Sequence, residues 1–196
     1  MASPAEAVAR VFEALDRMQI PYLVGGSVAS SIHGISRPTM DLDIVADLRA
    51  EQAEEFAQLL HADFYADADM IREAIRRGRA FNLIHYATTF KIDVFPLKAD
   101  EYSRISFARR RFEQSRSFGP KPIQCAVATA EDTILRKLEW YRAGGETSER
   151  QWNDLRGVLR TCEGRLDAGY MRRWAKFLHV EDLLERLLAE ERPLLP

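Results

Sequence analysis

Cysteine is nearly missing from this chain: Cys125 and Cys162 are the only two in 196 residues. Their separation fits neither a zinc knuckle nor a redox motif, so no disulfide framework is expected. Charge of one sign is lacking too. Lys and Arg (28) nearly balance Asp and Glu (30), leaving a formal net charge of −2. That balance argues against a non-specific nucleic-acid coat, although it permits a local basic groove. No apolar run approaches the roughly 20 residues of a membrane-spanning helix. The N-terminus carries Glu6, Glu13 and Asp16 where a secretory leader would be apolar. Internal repeats and low-complexity tracts are also missing. What is present is an ordinary globular composition, 46% hydrophobic and 30% charged, with ample length for a core. A reducing, cytoplasmic setting without a membrane partner is the expectation.

Periodicity divides the chain into elements. Val8, Val11, Phe12, Leu15 and Met18 recur at helical spacing over about 5–18. Pro21 ends that run, and Tyr22-Leu23-Val24 reads as a short strand leading into Gly25 and Gly26. Ser27 suits the N-cap of a helix over Val28–His33 that stops at Gly34. Pro38 favours extended backbone before it, so Met40–Val45 is expected as a strand. Helices follow at Asp47–Leu60, with a capping aspartate, and at Asp69–Arg77, closed by Gly78. Phe81–Tyr86 and Phe90–Phe95 form a hairpin across Ala87-Thr88-Thr89, and a further β-rich region spans about Arg109–Ala126. After Thr129 the texture becomes helical, beginning with a capping box at Thr129–Asp132. Later helices are expected at Ser148–Leu159, Asp167–Phe177 and Val180–Leu188.

The densest chemistry lies in YLVGGSVASSIHGISRPTMDLDIVAD and in FKIDVFPL. A glycine turn opening a helix lets backbone N–H groups approach phosphate. On a strand, Asp41 and Asp43 project to one face while Leu42 and Ile44 point to the other. Two such carboxylates can address one metal ion or bridge two. Asp93, between Ile92 and Val94, can add a third carboxylate from a neighbouring strand. Magnesium prefers oxygen donors of this kind together with substrate phosphates. Arg37 and Thr39 precede the pair by even steps: Arg37 could clamp a phosphate or pair with an aspartate, and Thr39 could orient a carboxylate or ribose. His33, before Gly34, reads as a capping or packing residue.

The glycine–serine turn, short helix, D-x-D and later strand aspartate resemble the DNA polymerase β-like nucleotidyltransferase superfamily. Within it the chain is most similar to small bacterial members akin to abortive-infection and toxin–antitoxin transferases. The resemblance implies an α/β (α+β) fold, a mixed sheet flanked by helices, with a catalytic core over 1–128 and a packed helical region over 129–196. It implies transfer of a nucleoside monophosphate from an NTP, with Gly25, Gly26 and Ser27 holding the triphosphate. Asp41 and Asp43 would bind two Mg2+ ions. Asp93 would complete the second-metal site and help activate the acceptor hydroxyl. In Glu131-Asp132-x4-Lys137, the resemblance turns Lys137 toward the phosphates, whereas the bland reading is a solvated helix face. Asp154 would buttress or pair with a basic residue, but Gln151-Trp152-Asn153 departs from the family's basic–acidic run. The acceptor stays open among an RNA or tRNA end, a protein and a small molecule, and a cognate antitoxin is a possible partner. The rival is a non-catalytic nucleotide-binding or partner-regulating module on the same fold. The stretch Arg109–Arg111 with Arg116, Phe107, Phe112 and Phe118 reads as a charged hairpin with inward phenylalanines, or as an anion-binding ribbon.

Overall fold

A computed structural model describes residues 3–190. The first helix, α1 (Pro4–Arg17), has Ser3 and Glu6 closing a reciprocal capping box and proline in its first turn. It buries the apolar stripe that its spacing predicts, Val8, Val11, Phe12 and Leu15. Strand β1 (Tyr22–Val24), helix α2 (Gly26–His33) and strand β2 (Asp41–Ala46) follow. Next come α3 (Ala53–Leu60), β3 (Phe64–Tyr65), α4 (Ala68–Arg76), β4 (Phe81–His85) and β5 (Lys91–Pro96). The chain continues through α5 (Glu101–Ala108), β6 (Arg111–Ser115) and β7 (Ile123–Val127). It ends in α6 (Ala130–Ala143), α7 (Glu149–Thr161), α8 (Ala168–Phe177) and α9 (Glu181–Glu190).

The seven strands form one mixed sheet in the order β3-β4-β5-β2-β1-β7-β6. β2 runs parallel to β5, and β1 runs parallel to β7; the other neighbours are antiparallel. Alternation decides the faces. In β2, Leu42, Ile44 and Ala46 are buried while Asp41, Asp43 and Val45 lie on the other side. The buried side joins α1, α3 and α4 in the main core, with Phe56, Phe64, Leu83 and Ile92 at its centre. A second core gathers α5 to α9 around Tyr102, Leu138, Leu155, Trp174 and Leu187. Leu23, Phe107 and Ala128 form a small apolar cluster of their own, with Val45 and Leu97 packed against it. No helix among the described residues is long and apolar enough to cross a membrane.

Several expectations are corrected. The helix expected from Asp47 starts later, as a 3-10 turn at Ala50–Gln52 leading into α3. There the Gln52 side chain accepts from the Arg49 N–H at 3.0 Å, and Asp47 caps nothing. Ser27 is not the α2 cap, because the helix begins two residues earlier with Gly25 at the cap. Helix α5 was not anticipated. Its buried face includes Ser103 and Ser106 beside Tyr102 and Phe107, which blurs the apolar stripe on which periodicity depends. Strand β3 has only two residues, too few to alternate.

Candidate active site

Register brings the three aspartates onto neighbouring strands. Asp43 of β2 lies opposite Asp93 of β5, and Asp41 lies opposite Lys91. The Thr39 hydroxyl donates to Asp41 Oδ1 at 2.8 Å, so it orients one carboxylate just before the strand begins. Lys91 Nζ sits 2.7 Å from Asp93 Oδ2. Lys91 escaped the sequence reading, although the alternation Lys91-Ile92-Asp93 puts it on the aspartate face. Burial, followed by the charges of Asp41 and Asp93, pushes the Asp43 carboxyl up to about 6, with Lys137 and Lys91 opposing.

The glycine turn fits against this pair. The Gly25 N–H donates to the Asp43 carbonyl at 3.0 Å. Gly26 adopts a left-handed φ of +55°, and a Cβ there would fall 1.7 Å from Asp43 Oδ2. Only glycine lets the helix start approach the carboxylate so closely. The α2 N-terminus thereby faces the same space as Asp43, with N–H groups available to an anion.

A basic pair completes one wall. Arg37 donates to Ser27 Oγ at 2.8 Å, and to both Asp154 oxygens at 2.9 and 2.8 Å. Lys137 Nζ reaches Asp154 Oδ2 at 2.8 Å, the two side chains being only 10% and 9% exposed. Lys137 is therefore no solvated helix residue. Burial alone would raise the Asp154 carboxyl, but hydrogen bonds from Arg37 and Lys137 outweigh it and hold the group below its usual range. Burial lowers Lys137, with Asp154 opposing. Asp154 thus gathers two cations beside the glycine turn.

A cleft of about 680 Å3 contains Gly25, Gly26, Ser27, Asp41, Asp43, Arg37, Lys137 and Asp154. Its far end is apolar, with Phe95 and Trp140 edge to face at 5.9 Å. That aromatic end was not foreseen; Phe95 shares the parity of Asp93, which is the signal that could have found it. His33 Nε2 lies 2.6 Å from the Ala128 carbonyl oxygen, a packing role as expected. The arginine stretch divides: Arg109 bonds Asp132 and lies 3.9 Å over the Tyr170 ring, and Arg110 lies over Phe107, whereas Arg111 and Arg116 are exposed. Phe107 and Phe118 are buried, but Phe112 is exposed, against the expectation of three inward rings.

Among the described residues no three His, Cys, Asp or Glu side chains are gathered as a ready metal cage. Asp41 and Asp43 nevertheless present hard carboxylate oxygens, and like charge from Asp41 and Asp93 adds to burial in raising Asp43. That chemistry fits a hard divalent cation such as magnesium. Asp93 could join once its bond to Lys91 loosens.

A family model described as Aminoglycoside-2''-adenylyltransferase matches residues 7–157. None of the curated protein sequences matches the chain. Among solved structures it is similar to an antigenic nucleotidyltransferase-like protein from Paracoccidioides brasiliensis, at 15% identity and a TM-score of 0.55, covering 95% of this chain and 92% of that one. It is also similar to ANT(2'')-Ia in complex with adenylyl-2''-tobramycin, at 15% identity and a TM-score of 0.50, covering 89% and 95%. A third is the lincosamide antibiotic adenylyltransferase LnuA, lincomycin-bound, at 10% identity and a TM-score of 0.50, covering 78% and 94%. At these identities the likeness speaks for the fold, which is that of the nucleotidyltransferases.

Proposed function

This chain belongs to the aminoglycoside-2''-adenylyltransferase family and is a nucleotidyltransferase, and we propose that it moves a nucleoside monophosphate from an NTP to a hydroxyl of a small-molecule acceptor, with magnesium. The observation that carries the reading is the meeting of Asp41 and Asp43 with the Gly25-Gly26 turn in one cleft, Asp93 standing in register beside Asp43. The α2 N-terminus and Ser27 receive the triphosphate, and Arg37 and Lys137 neutralise its charge. Asp154 holds both cations in position before the nucleotide arrives. Asp41 and Asp43, joined by Asp93, would hold the magnesium ions. Bound there, the ions would supply charge neutralisation for the phosphoryl oxygens and for the attacking and leaving oxygens.

The acceptor oxygen forms a bond to the α-phosphorus while the bond to the bridging oxygen breaks, and pyrophosphate leaves. Asp93 accepts the hydroxyl proton once its bond to Lys91 has loosened. Family membership and the antibiotic ligands of the similar structures favour a small acceptor over an RNA end, a protein or a toxin–antitoxin setting. Incubation with magnesium and NTP labelled separately at the α- and γ-phosphates tests the reaction class. The α label should follow the acceptor and the γ label should leave in pyrophosphate. Release of the γ label as orthophosphate would make the protein a hydrolase.

A further inference from the structure

Three carboxylates share one face of the sheet, and a single lysine is bonded among them. Asp41 and Asp43 alternate along β2, and Asp93 of β5 lies opposite Asp43 in register. Lys91 opens β5, opposite Asp41 and two residues before Asp93, so it projects to the same face. Two residues along a strand span about 6.6 Å, within reach of a four-carbon lysine stem. The ammonium turns along its own strand to Asp93 Oδ2, at 2.7 Å. On the neighbouring strand the Thr39 hydroxyl already donates to Asp41 Oδ1 at 2.8 Å.

The two ends of this ion pair sit in different settings. The Asp93 side chain is 14% exposed, whereas the Lys91 side chain is 44% exposed. The sheet fixes the carboxylate, while the lysine stem has open solvent to move into. A lysine on one oxygen of Asp93 sets a positive charge beside the place any other cation would take. A divalent ion that takes Asp93 as a ligand must therefore displace the ammonium and break its charge-assisted hydrogen bond. The cations on the other side, Arg37 and Lys137, are bonded to Asp154. Among the described residues Lys91 is the only Lys or Arg paired with any of the three aspartates.

We propose that Lys91 is a positioning residue: its ammonium is the resident counter-cation of the aspartates in the nucleotide-free protein, and it leaves Asp93 when a divalent ion arrives with the nucleotide. Asp41 and Asp43 are then the carboxylates open to a free divalent ion. Asp93 joins them only for an ion that brings phosphate oxygens of its own, which holds more ligands than a bare one. The carboxylate that takes the acceptor proton is thereby uncovered after the nucleotide is in place, not before. The inference rests on the nucleotidyltransferase reading, so nucleotide binding is measured in the same samples.

Manganese serves as the probe, since it favours the same oxygen ligands as magnesium, and its unbound fraction is read by electron paramagnetic resonance with full-length protein. Binding of manganese together with a non-hydrolysable ATP analogue comes first; its failure in wild type sinks the nucleotidyltransferase reading. Without nucleotide, Lys91→Met should bind manganese about tenfold more tightly than wild type, because three carboxylates are open in place of two. Lys91→Arg keeps the charge and the reach, and should stay within about twofold of wild type. In an Asp93→Asn background most of the Lys91→Met gain should vanish, which separates the bond to Asp93 from a charge acting through space. Proton–nitrogen spectra of the lysine ammonium groups follow the pair directly, with the Lys91 signal assigned by its loss in Lys91→Met. That signal should hold its place with magnesium alone and move to the position of a solvated lysine once the analogue is added. Equal manganese affinity in wild type and Lys91→Met, a gain of the same size with Asp93→Asn, or a Lys91 signal unmoved by the bound analogue would each overturn the proposal and leave the nucleotide reading standing.

Discussion

Asp43 is the residue whose chemistry and stability pull in opposite directions. Its carboxyl is raised from 3.8 to about 6, first by burial and then by Asp41 and Asp93. A raised acid stabilises the fold fully below its unfolded value, and that contribution is lost as pH rises through the folded value. The metal-free protein should therefore lose stability between about pH 4 and pH 6. Asp43→Asn should abolish transfer yet stabilise the metal-free protein by about 1–3 kcal/mol near pH 8, read by urea melts. A destabilised, still active Asp43→Asn would contradict this assignment. Gly26 carries the companion constraint. Gly26→Ala places a Cβ against the Asp43 carboxylate at a left-handed φ. It should cost about 1–3 kcal/mol and remove nucleotide binding, as seen by melts and by titration with an ATP analogue.

At the scale of elements, α7 reaches across to hold α6 and the segment before β2 through one carboxylate. Asp154→Ala removes the only carboxylate that Lys137, 10% exposed, hydrogen-bonds among the described residues, and should destabilise the fold by about 3–5 kcal/mol. Because the folded Asp154 carboxyl sits below its usual range, its contribution is present at neutral pH and is lost on acidification. Acid melts of wild type and Asp154→Asn should converge at low pH. Strands β2, β4 and β5 were legible because one buried face imposes a period of two, and that same period placed Asp41, Asp43 and Asp93 on one side. Helix α5 was not legible, since buried serines interrupt its stripe. Asp154 was legible as a partner for a basic residue, but which two cations it gathers depends on how α6 and α7 pack, and local sequence does not encode that.

Across the whole molecule, the cleft lies where the sheet's aspartate face meets α5, α6 and α7, so nucleotide should couple the two cores. An ATP analogue with magnesium at about a hundredfold its dissociation constant should add about 2.7 kcal/mol, read as a rise in Tm. That rise should be lost in Asp41→Asn. On the proposed reading, Asp41 and Asp43 drive nucleotidyl transfer. Mass spectrometry of a small-metabolite extract treated with protein, NTP and magnesium tests it most directly, with pyrophosphate measured in the same reaction. A product heavier by one nucleoside monophosphate and matched by pyrophosphate is expected, both absent with Asp41→Asn and with Asp43→Asn. Adduct formation that survives either substitution would contradict it.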